Sequence, residues 1–452
     1  LNIVVLAAGF GKRMASPLPK LLHPLGGRPM LAHVLDTARA LSPERLVVVI
    51  GHGGQEIQAT FSGLDLHWVE QTSMLGTGHA VMHALPALAD VPVTLVMNGD
   101  VPLVLPSTMR RLADAAAHDT LALLTVELPD ATGYGRVMRD THGKIFAIVE
   151  HKDATPEQRL IREINTGIMA IPTRRLKGWL ERLDNSNAQG EYYLTDIFAI
   201  ARADGVAITA VQPDSIDETR GVNSQAQRVE LERIFQRREA HRLLDAGVML
   251  ADIDRIEQRG QLSCGTQVSI DINCIFEGKV ALGNRVRIGA HCVLKDVDVG
   301  SDTVIEPFTH IDGASIGHGA RVGPYARLRP GSELANEVHI GNFVEVKNTS
   351  LGIASKANHL SYLGDATIGA AVNIGAGTIT CNYDGANKHR TVIEDNVHIG
   401  SDVQLVAPVT VKAGATIGAG TTVWKDVEAE HLVINPKSQL SSDNWQRPKK
   451  KR

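Results

Sequence analysis

Two patterns of apolar spacing divide this chain of 452 residues. In the first half, short Val/Leu/Ile runs at residues 3–6, 46–50, 93–97 and 121–126 are bounded by Gly, Pro or Asp. Residues 29–40 and 107–117 carry their apolar positions at helical spacing. Continuous short runs alternating with helices predict a mainly parallel sheet with helices packed on it. Ligands of such a sheet bind beyond the carboxyl ends of its strands.

Residues 224–246 contain neither Gly nor Pro, and charges surround Val229, Ile234, Leu243 and Leu244. This predicts one long amphipathic helix, either connecting two domains or packed wholly on the first. The pattern then changes period. From Leu282 through Ile288, Leu294, Val299 and Ile305 to Ile417 and Val423, an aliphatic residue followed by Gly or another small or polar residue recurs every six positions, occasionally five. A hexapeptide period is the signature of a parallel β-helix, here of roughly eight coils. One aliphatic per strand points inward, and the residue after it is expected at a tight corner suited to Gly. The period breaks only at residues 381–391, where the polar segment from Asn382 to Arg390 predicts a loop on one face.

The composition fits this division. Only 4% of the residues are aromatic while 42 are glycine, so the cores are aliphatic and many positions demand a small residue. A length of 452 implies at least two domains, and a formal charge of -4 with 21% charged residues argues against disorder and bulk nucleic-acid binding. Cys264, Cys274, Cys292 and Cys381 show no metal spacing and read as reduced, packed thiols. The opening apolar run has no basic flank and reads as a strand, not a signal peptide. No stretch approaches the ~20 residues of a membrane span, so a soluble, cytoplasmic protein is expected. The tail from Pro448 to Arg452 reads as a solvated basic end.

The first strand runs into Leu6-Ala7-Ala8-Gly9-Phe10-Gly11-Lys12-Arg13-Met14, followed by Pro19-Lys20. Two glycines here let backbone N–H groups approach an anion, and Lys12, Arg13 and Lys20 supply positive charge. The segment is neither a Walker loop nor a dinucleotide fingerprint. Asn98-Gly99-Asp100 ends a later strand. Asp100 is either a turn former or, facing the cationic loop, a ligand for Mg2+ on triphosphate oxygens.

In the β-helix half, Arg329, Glu345, Lys347, His359, Tyr362, Asn373, Asn382, Tyr383 and Ser401 are polar beyond what a solenoid surface needs. Arg329 and Lys347 are one coil apart, share a face and suit a sugar phosphate. An imidazole such as that of His359 can take a proton from an attacking amine, and Glu345 is the expected carboxylate to orient it.

These motifs carry a resemblance over nearly the whole chain. The Gly-rich segment with Pro19-Lys20 resembles the sugar-nucleotidyltransferase signature. The match extends through Gln71, Gly76-Thr77-Gly78, Gly99-Asp100, Gly133-Tyr134-Gly135-Arg136, Glu150-His151-Lys152, Asn165-Thr166-Gly167 and Asn223. With the segments 342–347, 358–365, 373–385 and 400–409, the chain is similar to the family of bacterial bifunctional N-acetylglucosamine-1-phosphate uridylyltransferases/glucosamine-1-phosphate N-acetyltransferases.

The resemblance implies a Rossmann-like α/β uridylyltransferase domain at residues 1–225, a linker helix at 226–246, and a left-handed parallel β-helix acetyltransferase domain at 247–452. Leu6, Ala7, Ala8, Gly9, Gln71, Gly76 and Thr77 would cradle the uridine nucleotide, beside Asn98 and Gly99. Gly135, Glu150, Asn165 and Asn223 would hold the sugar, and Asp100 with Asn223 the Mg2+, while Lys20 and Arg13 would neutralise phosphate charge. His359 would be the general base of acetyl transfer. Arg329, Lys347, Tyr362 and Asn373 would bind glucosamine-1-phosphate, and Ala376, Asn382, Tyr383, Ser401 and Ala419 acetyl-CoA. The chain would thus use UTP, glucosamine-1-phosphate, N-acetylglucosamine-1-phosphate and acetyl-CoA as a homotrimer, with no nucleic-acid partner. Its product, UDP-N-acetylglucosamine, would feed peptidoglycan and lipopolysaccharide precursors.

Three positions depart from the family pattern: Asn98 where Tyr is frequent, Lys12 for Thr, and Pro436, beside Lys437, for an acetyl-CoA-binding Arg. Two other readings remain open from the residues: a nucleotidyltransferase with a β-helix appendage, and a non-catalytic scaffold. His359, Glu345 and the Asn382-Tyr383 loop weigh against the first, and Lys20, Asp100 and Asn223 against the second.

Overall fold

The computed structural model describes residues 1–9, 11–51, 54–436 and 438–448, with the backbone alone at Lys12. The chain forms two compact units, Leu1–Phe235 and Gln236–Arg452. Lys437 and residues 449–452, the proposed Arg substitute and the basic end, lie outside the described residues.

The first unit is built on a sheet in the order Ile208–Val211, Leu121–Glu127, Glu163–Pro172, Val93–Asn98, Asn2–Ala7, Arg45–Ile50, His67–Glu70. All neighbours pair in parallel except Glu163–Pro172, which runs antiparallel to both of its own. Both faces are covered. Ile3, Val5, Val48 and Leu95 belong to one hydrophobic core, and Val4, Val47, Val49 and Val96 to another. That two-sided burial explains the unbroken apolar runs in the sequence. The expected helices are Met30–Arg39 and Pro106–Ala115. From Asn2–Ala7 the chain builds outward to one edge, then returns at Val93–Asn98 on the other side. The carboxyl ends of these two strands therefore flank a topological switch point, the place where open α/β sheets bind ligands.

The long helix is Gln225–Asp245. Its buried residues match those expected only in part, at Leu243 and, half-buried, Ile234. Leu231 and Phe235 join a core with Met14, Leu25, Met30 and Leu103, while Ala240 and Leu243 join the core of the second unit. Val229 and Leu244 are exposed. Each half of the helix packs on its own unit, and the five-residue step from Phe235 to Ala240 breaks the i, i+3/i+4 series. No single apolar stripe could mark both.

The second unit is a parallel β-helix whose strands pair coil upon coil from Met249–Leu250 to Leu432–Val433. The aliphatic positions of the hexapeptide series form one continuous buried core. Two positions before each stands a second buried residue, frequently a hydroxyl. Thr303, Ser332, Thr349 and Ser355 donate to the carbonyls of Gly317, Val346, Leu363 and Gly369, tying successive coils together. Cys274 and Cys292 occupy the same inner position, and burial pushes their thiols up to about 11 and about 12.

The corner expectation is corrected. Left-handed backbone falls three residues before the inward aliphatic, at His291, Phe308, Tyr325, Phe343 and Leu360, with φ between 47° and 61°. The glycine after the aliphatic is needed because coils stack closely there. A Cβ at Gly317 would lie 2.6 Å from the Ala335 carbonyl carbon, and one at Gly341 would overlap the Asn358 carbonyl oxygen. Gly341→Ala is expected to destabilise the β-helix by about 1–3 kcal/mol, read as a lower unfolding midpoint. An unchanged midpoint would mean the coils can separate there freely.

Candidate functional site

At the switch point the first strand delivers Leu6, Ala7, Ala8 and Gly9 to the wall of a cavity of about 400 Å³. Lys20, Gln71, Gly76, Thr77, Asn98 and Asp100 share that wall. The turn that brings Lys20 in is tight: Gly11 has φ +58°, and a Cβ there would sit 2.7 Å from Lys20 Cβ. Gly76, with φ +109°, passes so close to Tyr192 that a Cβ would lie 2.6 Å from its carbonyl oxygen. Gly99 packs behind, its N–H donating to the Leu6 carbonyl at 2.9 Å.

The charged centre is a convergence of three distant residues. The Lys20 ammonium donates to Asp100 Oδ2 at 2.6 Å and to Asn223 Oδ1 at 3.1 Å. A carboxylate and an amide oxygen aimed at one cation form a hard-oxygen donor set of the type that suits Mg2+. Among the described residues no cluster of three or more His, Cys, Asp or Glu is arranged for a metal, so such an ion would complete its shell with oxygens of substrate or water.

Asn98 links this cavity to a second group. Its Nδ2 donates to the Thr166 carbonyl at 3.0 Å, so the Asn at this departure position fixes the Asn165-Thr166-Gly167 segment. Asn165 N–H donates to the Gly135 carbonyl at 2.8 Å. Gly135 in turn lies against Glu150, where a Cβ would approach the carboxylate to 3.2 Å. Burial pushes the Glu150 carboxyl above the usual glutamate range, opposed by the Thr195 hydroxyl bond and reinforced by Asp196, Asp153 and Glu191. Arg13 is exposed on the turn Lys12–Met14 and is not part of the cavity wall.

On the β-helix, His359 ends the strand Lys356–His359 and is exposed. Its orienting partner is Asn342, paired with it one coil below, whose Oδ1 lies 3.0 Å from Nδ1. An amide oxygen only accepts, so Nδ1 carries the proton and the Nε2 lone pair is free to act as a base. Glu345 does not orient His359, contrary to expectation. Its carboxylate is taken by Arg329 at 2.9 Å, with Arg327 at 3.9 Å. The one-coil spacing that joined Arg329 to Lys347 also marks Asn342 and His359, 17 positions apart, and was the available signal.

The same corner continues upward through residues expected to meet acetyl-CoA. Asp402 N–H donates to the Ala376 carbonyl and Gly420 N–H to the Ser401 carbonyl, each at 2.8 Å, which stacks Ala376, Ser401 and Ala419 in one file. Asn373 is half-buried one coil above Lys356. Beyond the corner, Lys347 and Lys388 stand side by side near Asp365 and Tyr362, and the Lys347 ammonium holds Lys388 below the usual lysine range. Asp365 is clasped by Asn348 at 2.6 Å and by Asn382. Tyr383 is exposed, its hydroxyl donating to the Gly385 carbonyl at 2.6 Å. The polar loop is folded on Asp384, which accepts from Ala386 and Asn387 N–H and meets His389 Nε2 at 2.7 Å. Two adjacent ammoniums favour an anion between them. Lys388 was not anticipated because its partner lies in the periodic region and it lies in the insertion.

A switch-point cavity with Lys20, Asp100 and Asn223 at its centre, on a chain whose second unit is a β-helix carrying an exposed histidine and two adjacent lysines, has the make-up of a nucleotidyltransferase fused to a hexapeptide-repeat acyltransferase. Residues 3–157 match the family model of MobA-like NTP transferase domains, and residues 390–423 that of the bacterial transferase hexapeptide (six repeats). The bifunctional protein GlmU of Cupriavidus pinatubonensis is 60% identical over 451 residues, covering 100% of this chain and 99% of its own. That of Nitrosospira multiformis is 59% identical over 452 residues, covering 100% and 98%. A solved nucleotidyl transferase from Methanothermobacter thermautotroptrophicus covers 52% of this chain and 98% of its own at 22% identity and a TM-score of 0.39, too distant to bear on the assignment. The chain belongs to the bifunctional GlmU family, a uridylyltransferase and an acetyltransferase on one polypeptide.

Proposed function

We propose that the chain acetylates glucosamine-1-phosphate with acetyl-CoA and then transfers UMP from UTP to the resulting N-acetylglucosamine-1-phosphate. The observation that carries this reading is the presence of two chemically different sites on separate units of one chain: Lys20, Asp100 and Asn223 on the first, His359 and Asn342 on the second.

In the first reaction Arg329, Lys347 and Lys388 hold the sugar phosphate, with Tyr362 and Asn373 beside it. His359 Nε2 takes the proton of the amine as its nitrogen attacks the thioester carbonyl, and the coenzyme A thiol leaves. Asn342 keeps that lone pair aimed outward. Ala376, Ser401 and Ala419 line the path of the extended cofactor, with Asn382 and Tyr383 at its side. Lys388→Ala is expected to raise the KM for glucosamine-1-phosphate about tenfold with a smaller change in kcat, measured by thiol release. A change in kcat alone would place Lys388 elsewhere.

In the second reaction a sugar-phosphate oxygen attacks the α-phosphorus of UTP in line, the bond to the β-phosphate breaks, and pyrophosphate leaves. Such chemistry needs positioning and charge neutralisation more than a covalent nucleophile. Leu6 to Gly9, Gln71, Gly76 and Thr77 seat the nucleotide. Gly135, Glu150 and Asn165 seat the sugar, and Lys20, with the exposed Arg13, faces the phosphates. Asp100 and Asn223 would hold Mg2+, which when bound supplies charge neutralisation on the phosphate oxygens.

No helix among the described residues is long and apolar enough to cross a membrane, and a cytoplasmic setting is proposed because both cosubstrates are made there. His291, Phe308, Tyr325 and Phe343 form an exposed stack of rings with centroids 4.8, 4.9 and 5.4 Å apart. This apolar edge supports a homotrimer, and light scattering at micromolar concentration should give three times the chain mass. The two half-reactions test the function separately: thiol release from acetyl-CoA with glucosamine-1-phosphate, and pyrophosphate release from UTP with Mg2+ and N-acetylglucosamine-1-phosphate. Absence of the first would favour a β-helix appendage, and absence of both a scaffold.

A further inference from the structure

Gln71 follows the strand His67–Glu70, and His79 lies on the helix Thr77–Ala84. The Gln71 amide nitrogen donates twice, to the Gly76 carbonyl at 3.2 Å and to His79 Nδ1 at 3.0 Å. A carbonyl oxygen only accepts, so turning the amide over would set two oxygens face to face. With the nitrogen fixed by Gly76, His79 Nδ1 must accept as well. The ring is then neutral, with its proton on Nε2.

The surroundings favour that state. The His79 ring meets His83 edge-on at 4.6 Å and lies parallel to Tyr192 at 6.3 Å. Burial lowers the ring below the usual histidine range, the charge of His83 adds to this, and a bond to the Ser73 carbonyl opposes it. Glu191, beside Tyr192, lines the same cavity.

Both donors of the Gln71 amide are therefore used within the protein. Gln71 lines the cavity, and among the described residues no donor meets its Oε1, which is nevertheless not sealed from the cavity. We propose that His79 is a positioning residue that holds Gln71 with its carbonyl oxygen toward the nucleobase, so that the site takes a base with a ring N–H there, as uracil has, and refuses cytosine. At the corresponding place cytosine has a lone pair, which an oxygen repels. This selection rests on the nucleotidyl-transfer reading above.

The test is kcat/KM for UTP and for CTP, with Mg2+ and N-acetylglucosamine-1-phosphate, in the full-length chain and two variants between about pH 5 and 8. In His79→Leu the UTP preference should fall about tenfold or more, mainly through the KM for UTP. In His79→Asn, whose amide oxygen can stand where Nδ1 stood, most of the preference should remain. Protonating Nδ1 removes the acceptor. The wild-type preference should therefore be full above the usual histidine range and fall as pH drops below it, and His79→Asn should lack that fall. An unchanged unfolding midpoint on the same samples reports folding of the first unit, which carries His79. A His79→Leu chain with an unchanged unfolding midpoint that keeps its UTP preference, or loses UTP and CTP activity equally, overturns the proposal, as does an acid loss that persists in His79→Asn. A wild-type chain that releases no pyrophosphate from UTP overturns the nucleotidyl-transfer reading itself, and the proposal with it.

Discussion

Asp100→Ala is expected to lower pyrophosphate release by about a thousandfold or more while leaving thiol release within about twofold of wild type. Asp100 stands just past the carboxyl end of Val93–Asn98 and accepts the Lys20 ammonium at 2.6 Å. The Lys20 side chain is only 8% exposed, so losing the carboxylate leaves a largely buried charge with Asn223 as its remaining partner. The same change removes the carboxylate of the cation donor set. Charge developing on the phosphates would lose an ordered countercharge on both counts. Asp100→Asn keeps the shape without the charge and should be nearly as impaired, with weaker Mn2+ binding in a titration of the substrate-free chain. An unchanged unfolding midpoint would show that the first unit still folds, and normal thiol release that the other compact unit, which carries His359, is untouched. Pyrophosphate release near the wild-type rate would remove Asp100 from the reaction.

His359→Ala should have the opposite effect. Thiol release is expected to fall about a hundredfold to ten-thousandfold, and pyrophosphate release from UTP and N-acetylglucosamine-1-phosphate to stay within about twofold. Asn342 makes the prediction graded. Its oxygen holds Nδ1 at 3.0 Å and fixes which nitrogen carries the proton. Asn342→Leu keeps the base but frees the ring, and an intermediate loss of about tenfold is expected. If Glu345 were the orienting group, Glu345→Gln would cost more than Asn342→Leu. The structure predicts the reverse order, since Glu345 is engaged by Arg329. Loss of both activities in His359→Ala would contradict two independent sites.

Much of the fold was legible because burial is written into periodicity. Residues such as Ile305, Val346 and Leu405 belong to one hexapeptide series because each coil offers a fixed number of inward positions, and all three are buried. Other features leave no such trace. The antiparallel strand Glu163–Pro172 uses the same kinds of residues as its parallel neighbours, so composition could not give its direction. In the helix Gln225–Asp245 the buried series breaks between Phe235 and Ala240, which blurs the stripe on which the expectation depends. The glycines serve a different end from the corner that their spacing suggests: the coil-to-coil approach that excludes a side chain at Gly317 involves a residue 18 positions away.

The sites divide in the same way. Gly9, Lys20 and Asp100 stand next to strand ends and could be found from local pattern. The meeting of Lys20 with Asn223 spans 203 positions and entered only through resemblance. Asn342 is within reach of the coil spacing, and its amide oxygen sets the tautomer of His359 where the sequence pattern points to a carboxylate. Lys388 lies inside the insertion that breaks the period, where coil arithmetic no longer gives a neighbour.

The central claim is that two reactions run in sequence on one chain, and product analysis with a single starting sugar tests it most directly. The protein is incubated with glucosamine-1-phosphate, UTP and Mg2+, with and without acetyl-CoA, and the nucleotide sugar is identified by mass. The predicted result is UDP-N-acetylglucosamine, with equal thiol and pyrophosphate, only when acetyl-CoA is present. It should also form when Asp100→Ala and His359→Ala chains, each unable to make it, are mixed. Nucleotide sugar formed without thiol release, or no product from the complete mixture, would contradict the account.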